Sequence, residues 1–280
     1  MILTASNIGW EPSKNFEVYK IMNDLGFKGI EVAPGKLFEN SDDVLNPSNS
    51  LINEKLEEIK SYGLSPVSMQ SILFGCSDAL LFSSLNEHKN KFIERLKAAI
   101  TLSNKLGIKN IVFGSPKNRN IPNNLRYEYA EKIAYTIFND IGKYALKNDV
   151  ILSIEANPSE YQTNFINTLQ ESITFIEKIN VNSIMLNLDM GEIILNKQEE
   201  YLNNNMKKIK ELINHVHISE PFLEPSPMNA QHCEHILKNL MYNDYKKSIS
   251  LEMNSIDDNL KTLTKKLEVL SKIFVRLNVI

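Results

Sequence analysis

The chain has 280 residues, of which 42% are hydrophobic and 23% are charged, a composition typical of globular proteins that bury a large core. The formal net charge is -3, with 31 basic and 34 acidic residues, so no broad positive field is expected to hold nucleic acid. Two cysteines far apart in the chain, Cys76 and Cys233, do not indicate a disulfide framework. No segment approaches the roughly 18 apolar residues of a membrane span, and no secretion signal is evident, so we expect a cytoplasmic protein without a membrane partner.

Short apolar runs alternate with longer amphipathic stretches along the whole chain, which predicts repeated strand-helix units around a buried parallel sheet. The predicted strands are residues 2–6, 29–33, 65–70, 110–114, 150–155, 183–189, 215–219 and 248–253. The predicted helices include residues 88–106, 126–146, 168–179 and 256–272, in which apolar residues recur at helical spacing.

The spacing of the strands predicts how they assemble. Their ends recur about every 35 residues, which is what one strand, one helix and two loops need. No linker or low-complexity tract divides the chain. A doubly wound open sheet would normally have fewer strands and a glycine-rich loop after the first, whereas residues 6–10 contain one glycine. We therefore predict an α/β fold in which residues 1–280 form a single (β/α)8 TIM barrel.

Polar side chains end the fifth to eighth predicted strands, namely Glu155, Asp189, His217 and Glu252. In a barrel these strand ends converge on one face, where three carboxylates and an imidazole would be costly to bury without a cation. We predict that these four residues bind a divalent metal, Mn²⁺ before Mg²⁺ or Co²⁺. The alternative is four isolated polar residues where strands surface. His215 points to the same face as His217 and is expected to lie behind the metal ligand.

Charged residues in the loops after two strands have two readings each. Glu220 would orient His217 from behind the metal, or would be a solvated loop glutamate. Lys117 and Arg119 would hold a phosphate or carboxylate of the substrate, or would be solvated loop charges.

Other residues at strand ends are candidate substrate contacts. Gln70 follows the third strand, and Asn157 and Tyr161 follow the fifth. Trp10 follows the first strand, where its aromatic face would cover a sugar ring or would pack at the barrel rim.

Six phrases in the sequence resemble one superfamily in their order and spacing: residues 26–32, 68–71, 154–158 followed by Tyr161 and 164–165, 188–191, 215–221 and 250–253. They are similar to the sugar phosphate isomerase/epimerase group of the xylose-isomerase-like (AP endonuclease family 2) TIM barrels. The resemblance covers essentially the whole chain. It implies a carbohydrate substrate, the same four metal ligands, proton transfer by Glu155 and Glu252, and a homodimer or homotetramer.

Two positions depart from the ketose 3-epimerases of that superfamily. Those enzymes contact the sugar through a histidine three residues beyond the metal aspartate, and here Glu192 stands at that position as a substrate-binding candidate. An arginine six residues beyond the metal histidine is replaced by Leu223. Both departures argue against a simple free ketohexose as substrate.

The predicted activity is isomerisation or epimerisation of a sugar, sugar phosphate or related hydroxy-ketone through an enediolate. A cation on the carbonyl and hydroxyl oxygens stabilises the enediolate formed when the neighbouring carbon loses a proton. Glu155 and Glu252 on opposite sides of the intermediate would give epimerisation, and a single base on one side would give aldose-ketose isomerisation.

Three other functions would use parts of the same pattern. A dehydratase of a polyol or keto acid would use the same metal and base. An apurinic endonuclease would need a three-zinc cluster, which is hard to assemble from the 5 histidines of the chain. A barrel that binds a sugar without catalysis would not need all four ligand positions.

Overall fold

Eight parallel strands form the interior of the protein in the computed structural model, which describes residues 1–256 and 260–279. Each strand pairs with the next, and the last pairs with the first, so that the sheet closes into a barrel. The strands are β1 (Ile2–Ser6), β2 (Gly29–Val32), β3 (Ser65–Met69), β4 (Asn110–Phe113), β5 (Ile151–Ile154), β6 (Ile184–Asp189), β7 (Ile213–Ile218) and β8 (Ser248–Leu251). The predicted TIM-barrel fold is confirmed.

Helices follow the strands and cover the outside of the barrel. They are α1 (Asn15–Asp24), α2 (Pro34–Leu37), α3 (Asn49–Ser61), α4 (Asn86–Lys105), α5 (Tyr127–Lys147), α6 (Leu169–Ile179), α7 (Met190–Leu195), α8 (Glu199–Ile209), α9 (Ala230–Tyr242) and α10 (Lys261–Arg276). Their apolar faces join the strands in one core. No helix in residues 1–256 or 260–279 is long and apolar enough to span a membrane.

The predicted element boundaries differ from the observed ones by at most two residues, except for the last helix. Strand β7 begins at Ile213, two residues before its predicted start, because Asn214 points into the barrel and donates to Asn110 Oδ1 at 2.7 Å. Because asparagine is polar, the apolar pattern did not include residue 214 in a buried strand. The predicted helix 256–272 begins at Lys261 in the structure, and residues 257–259 of that prediction lie outside the described residues.

A buried polar network runs through the middle of the barrel and ends beneath the site. Ser153 Oγ and Asn214 Nδ2 both donate to Asn110 Oδ1, at 2.5 and 2.7 Å. Asn110 Nδ2 donates to Ser68 Oγ at 2.8 Å, and Ser68 Oγ donates to Glu31 Oε1 at 2.7 Å. Hydrogen-bonded networks of this kind rigidify a core. The network therefore fixes the side chain of Glu31 from the interior of the barrel.

Candidate metal centre and active site

The four predicted metal ligands converge at the carboxyl ends of the strands. His217 Nδ1 lies 3.1 Å from Glu155 Oε2, 3.1 Å from Glu252 Oε2 and 3.8 Å from Asp189 Oδ2. The imidazole of His217 is buried, whereas the three carboxylates line a cavity. The structure therefore brings together on one face four residues that are far apart in the sequence.

Backbone hydrogen bonds place these side chains at the rim of the barrel. Glu155 and Glu252 each come one residue after the end of their strand, and their amides still donate to the neighbouring strand, to Phe113 O at 3.1 Å and Ile218 O at 3.0 Å. Asp189 ends β6 and accepts from the backbone N–H of Glu192 at 2.6 Å, which caps α7. The alternation along a strand then directs these side chains into the barrel mouth.

The charges at this site are strongly coupled. Burial and the charges of Glu155 and Glu252 raise the pKa of Asp189 well above its usual value. Burial also raises the pKa of Glu252. Burial alone would lower the pKa of His217, but the surrounding carboxylates, first Glu252 and then Glu31, raise it well above its usual value. The carboxylates are therefore stabilised by a positive charge near His217 Nδ1, which a proton on His217 or a cation can supply.

Glu31 is a site residue that the sequence reasoning missed. Its side chain is fully buried, and its Oε1 lies 3.1 Å from His217 Nε2 and 3.2 Å from His215 Nε2. The two histidines hold the pKa of Glu31 well below its usual value, although burial alone would raise it. One signal was available, because a carboxylate inside the otherwise apolar strand β2 is costly unless it has a partner.

Amide side chains hold two of the cavity carboxylates in place. Gln70 Nε2 donates to Glu252 Oε1 and to Ser6 Oγ, each at 2.7 Å. Glu155 accepts from Asn187 Nδ2 at 2.7 Å through Oε2 and from Asn157 Nδ2 at 3.0 Å through Oε1. These bonds fix the carboxylates around the nitrogen of His217.

The cavity above these residues has a volume of about 710 Å³. Its lining includes four of the residues predicted to contact substrate or support the metal, Gln70, Asn157, Tyr161 and Glu220. The phenol of Tyr161 accepts a hydrogen bond from the backbone N–H of Phe222 at 2.8 Å.

The expectation that Trp10 covers a sugar ring is corrected by its position. Its side chain is fully buried and does not line the cavity. The indole Nε1 donates to Asn15 Oδ1 at 2.8 Å, and the ring packs edge-on against Tyr19. Trp10 therefore packs against α1.

Glu192 is likewise turned away from the cavity, which corrects its assignment as a substrate contact. Its Oε1 accepts from the backbone N–H of Leu169, at the start of α6, at 3.2 Å and from Asn196 Nδ2 at 2.8 Å. Burial raises the pKa of Glu192 to about 7. Because α7 begins directly after Asp189, its first turn carries Glu192 toward the N-terminus of α6.

The two residues predicted to lie behind the metal take different positions. His215 is fully buried, and its Nδ1 and Nε2 lie 2.7 and 2.9 Å from Ser248 Oγ and Ser250 Oγ. Glu220 instead accepts from the backbone N–H of Met228 at 2.6 Å. The carboxylate behind His217 is therefore Glu31, and the expectation for Glu220 is corrected.

The two loop cations of the sequence analysis are separated by the structure. Arg119 is fully buried, and its guanidinium donates to the carbonyls of Glu155 at 2.9 Å and Ile166 at 3.2 Å. Lys117 is exposed and lines the cavity. Arg119 therefore joins the end of β5 to the following loop. It is not among the residues that line the cavity.

Within residues 1–256 and 260–279, two groups of side chains have donor atoms close enough to hold one metal ion. Donor atoms of Glu155, Asp189 and His217 lie within 4.8 Å of one another, as do those of Glu31, His215 and His217. The first group opens into the cavity and gains Glu252, whereas the second is sealed, with Glu31 bonded to Ser68. Oxygen and imidazole donors suit a hard or borderline divalent ion, so the open group fits a metal that must also reach a substrate.

Solved structures with the same fold include several sugar epimerases. The chain is 16% identical to 3-keto-D-glucoside 4-epimerase YcjR from E. coli, with a TM-score of 0.76 and coverage of 98% of this chain and 99% of that one. It is 16% identical to D-psicose 3-epimerase from Clostridium cellulolyticum H10, crystallised with D-tagatose, with a TM-score of 0.79 and coverage of 100% and 99%. A third structure, the IolI protein with a bound zinc atom, has 15% identity, a TM-score of 0.72 and coverage of 99% and 98%.

These identities are low, and the likeness establishes the fold alone. No curated protein matches the chain in sequence. A family model does match, over residues 19–273, and its description is xylose isomerase-like TIM barrel. The match spans nearly the whole barrel, including His217 and the three carboxylates around its Nδ1. The chain belongs to the xylose isomerase-like TIM barrel family.

Proposed function

We propose that the protein is a divalent-metal-dependent isomerase or epimerase of a sugar-like hydroxy-ketone. Its metal ligands would be Glu155, Asp189, His217 and Glu252, with Mn²⁺ the preferred ion and Mg²⁺ or Co²⁺ as alternatives. The observation that carries the proposal is the convergence of three carboxylates within 3.8 Å of His217 Nδ1 at the floor of a cavity.

The metal would supply positive charge at the carbonyl oxygen of the substrate, which makes the neighbouring C–H bond more acidic. Glu155 and Glu252 would move the proton. Both carboxylates line the cavity and lie 3.1 Å from the same nitrogen, so they border one small volume. Their amide partners Asn187, Asn157 and Gln70 orient them, which favours proton transfer at defined positions.

Glu155 and Glu252 differ in their electrostatic surroundings. Burial raises the pKa of Glu252, whereas the bond from His217 and its charge outweigh burial and lower the pKa of Glu155. A bound divalent cation would favour the ionised form of both carboxyl groups. For epimerisation, one of the two would remove a proton from one face of the substrate and the other would return a proton to the opposite face.

The family and the structural relatives are consistent with this proposal. Two of the relatives are named as epimerases of sugars, 3-keto-D-glucoside 4-epimerase and D-psicose 3-epimerase, and the third carries a zinc atom. A sugar bearing a carbonyl group is the substrate class that these names share. We propose further that the protein forms a homodimer or homotetramer.

The experiment is a metal and isotope measurement on wild type and two variants. Purified protein is reconstituted with Mn²⁺, its metal content is measured, and incorporation of solvent deuterium into a panel of ketoses is followed by NMR. The Glu252→Gln variant should lose metal affinity and should no longer incorporate solvent deuterium into the ketoses. The matched control Glu224→Gln, an exposed glutamate outside the cavity lining, should keep both. A wild type that binds no Mn²⁺, Mg²⁺, Co²⁺ or Zn²⁺ would refute the metal site.

A further inference from the structure

The cavity changes its chemistry between its floor and its exposed walls. The floor carries the carboxylates of Glu155, Asp189 and Glu252. The walls carry apolar side chains from the loops after β3 and β7 and from the end of β4: Leu73, Phe74, Val112, Phe222 and Leu223. A sugar carries hydroxyl groups around its ring and apolar C–H groups only on its faces, whereas most of the exposed lining of this cavity is apolar. The apolar walls therefore suit a further, apolar part of the substrate.

Phe222 is presented to the cavity by an unusual backbone. Its φ is 60° and that of Leu223 is 57°, a left-handed conformation that bulky residues rarely adopt. The turn is held by the bond from Phe222 N–H to the Tyr161 phenol, by edge-on ring packing against Tyr161, and by the bond from Asn254 N–H to Leu223 O at 2.9 Å. The side chain of Phe222 nevertheless remains 57% exposed.

The wall after β3 holds a second exposed ring. Ser71 has a φ of 54°, and Phe74 N–H donates to Ser71 O at 3.1 Å. This turn buries Leu73 but leaves Phe74 87% exposed. Phe74 and Phe222 follow different strands, and each exposes apolar surface that a ligand in this cavity would cover favourably.

The charges that line the cavity do not suit a phosphate. Within the described part of the chain, Lys117 is the one cationic side chain among the lining residues, and it is exposed. Arg119 is buried and bonded to backbone carbonyls. Phosphate sites usually present several donors or a bidentate arginine, and a single exposed lysine does not supply them.

The volume of the cavity also exceeds what a single sugar ring needs. Cavities of about 300–1,000 Å³ hold ligands of drug size, and this one has about 710 Å³. We propose that the substrate is a carbonyl-bearing sugar joined to an apolar aromatic group, with the sugar over the carboxylates and the aromatic group against Phe222 and Phe74. The placement of the sugar over the carboxylates rests on the proposed function, whereas the placement of the aromatic group rests on the cavity walls alone.

The test uses two glycosides that differ in the group attached to the sugar. Binding of phenyl 3-keto-β-D-glucopyranoside and methyl 3-keto-β-D-glucopyranoside to Mn²⁺-reconstituted protein is measured by calorimetry. Burial of the phenyl ring should make the phenyl glycoside bind at least about tenfold more tightly. Phe222→Ala should reduce this preference to about threefold or less, and Phe74→Ala should reduce it as well. The matched control Phe16→Ala, also 57% exposed but outside this cavity, should keep it.

Three results would overturn the inference. They are equal affinity for the two glycosides, no detectable binding of the phenyl glycoside, and an undiminished preference in both cavity variants. If Phe222→Ala or Phe74→Ala instead changed the mass of the particle in light scattering and left the preference intact, the apolar surface would be a contact between copies of the chain. Deuterium exchange into free ketoses without a phenyl preference would refute this inference and leave the proposed function standing.

Discussion

Replacing Glu31 by glutamine tests how His217 is prepared to bind a metal. Glu31 Oε1 accepts from Ser68 Oγ at 2.7 Å and lies 3.1 Å from Nε2 of His217 and 3.2 Å from Nε2 of His215. An ionised carboxylate can only accept hydrogen bonds. It therefore favours a hydrogen on Nε2 of His217 and leaves the lone pair on Nδ1, which faces the three cavity carboxylates.

The expected effect follows from what the glutamine side chain retains. It keeps the shape of glutamate but loses the charge, and its NH₂ group opposes the histidine N–H if the amide turns toward it. Hydrogen bonds to charged groups contribute about 1.5–3 kcal/mol each. Partners behind a metal ligand typically change affinity by about 10–100-fold, so Glu31→Gln should weaken Mn²⁺ binding by that factor, or about 1.4–2.7 kcal/mol.

The assay is a competitive Mn²⁺ titration against a chelator, with circular dichroism to confirm folding. The matched control is Glu192→Gln, a second buried carboxylate, whose hydrogen bonds go to the N-terminus of α6 and to Asn196 and not to His217. It should bind Mn²⁺ as the wild type does. Wild-type affinity in a folded Glu31→Gln protein would show that other contacts orient His217 and would refute this reasoning.

Further predictions concern the carboxylates and the bound ion. A Cβ at Gly114 would lie 2.6 Å from Glu155 Oε1, so Gly114→Ala should displace that carboxylate and weaken Mn²⁺ binding at least about tenfold, whereas Gly35→Ala, whose Cβ meets nothing within 4 Å, should not; equal affinities would contradict this. Mn²⁺ at about 100 times its Kd should raise the free energy of unfolding by about 2.7 kcal/mol, measured by thermal unfolding. Asp189→Asn should abolish this stabilisation by Mn²⁺. Burial raises the pKa of Glu192 from 4.5 to about 7, so its protonated form stabilises the fold below pH 4.5 and this contribution is lost as the pH rises through 7. In urea unfolding, Glu192→Gln should lack this loss, which is on the order of 3 kcal/mol; parallel pH profiles would refute the assignment.

The sequence by itself determined the barrel and the residues around the nitrogen of His217. Apolar runs of strand length, repeated at an even spacing, fit eight parallel strands in a closed sheet. Glu155, Asp189 and Glu252 could be located because each stands where a buried run ends. Both signals are local, since they depend on the order of side chains along a few residues.

Only the tertiary structure decided which other residues join the site. Glu31 is 186 residues from His217 in the sequence. A carboxylate inside a strand is stable only if partners on other strands offset its desolvation penalty, and the sequence does not show those partners. Contact with the substrate was one reading of Trp10, because of its place after a strand, and was the expectation for Glu192, because of its position in the comparison with ketose 3-epimerases. The direction of each side chain was set instead by the contacts of the next turn, with Asn15 and with the start of α6. Strand order and residue type specify the rim of the barrel, and packing between elements decides which rim side chains turn inward.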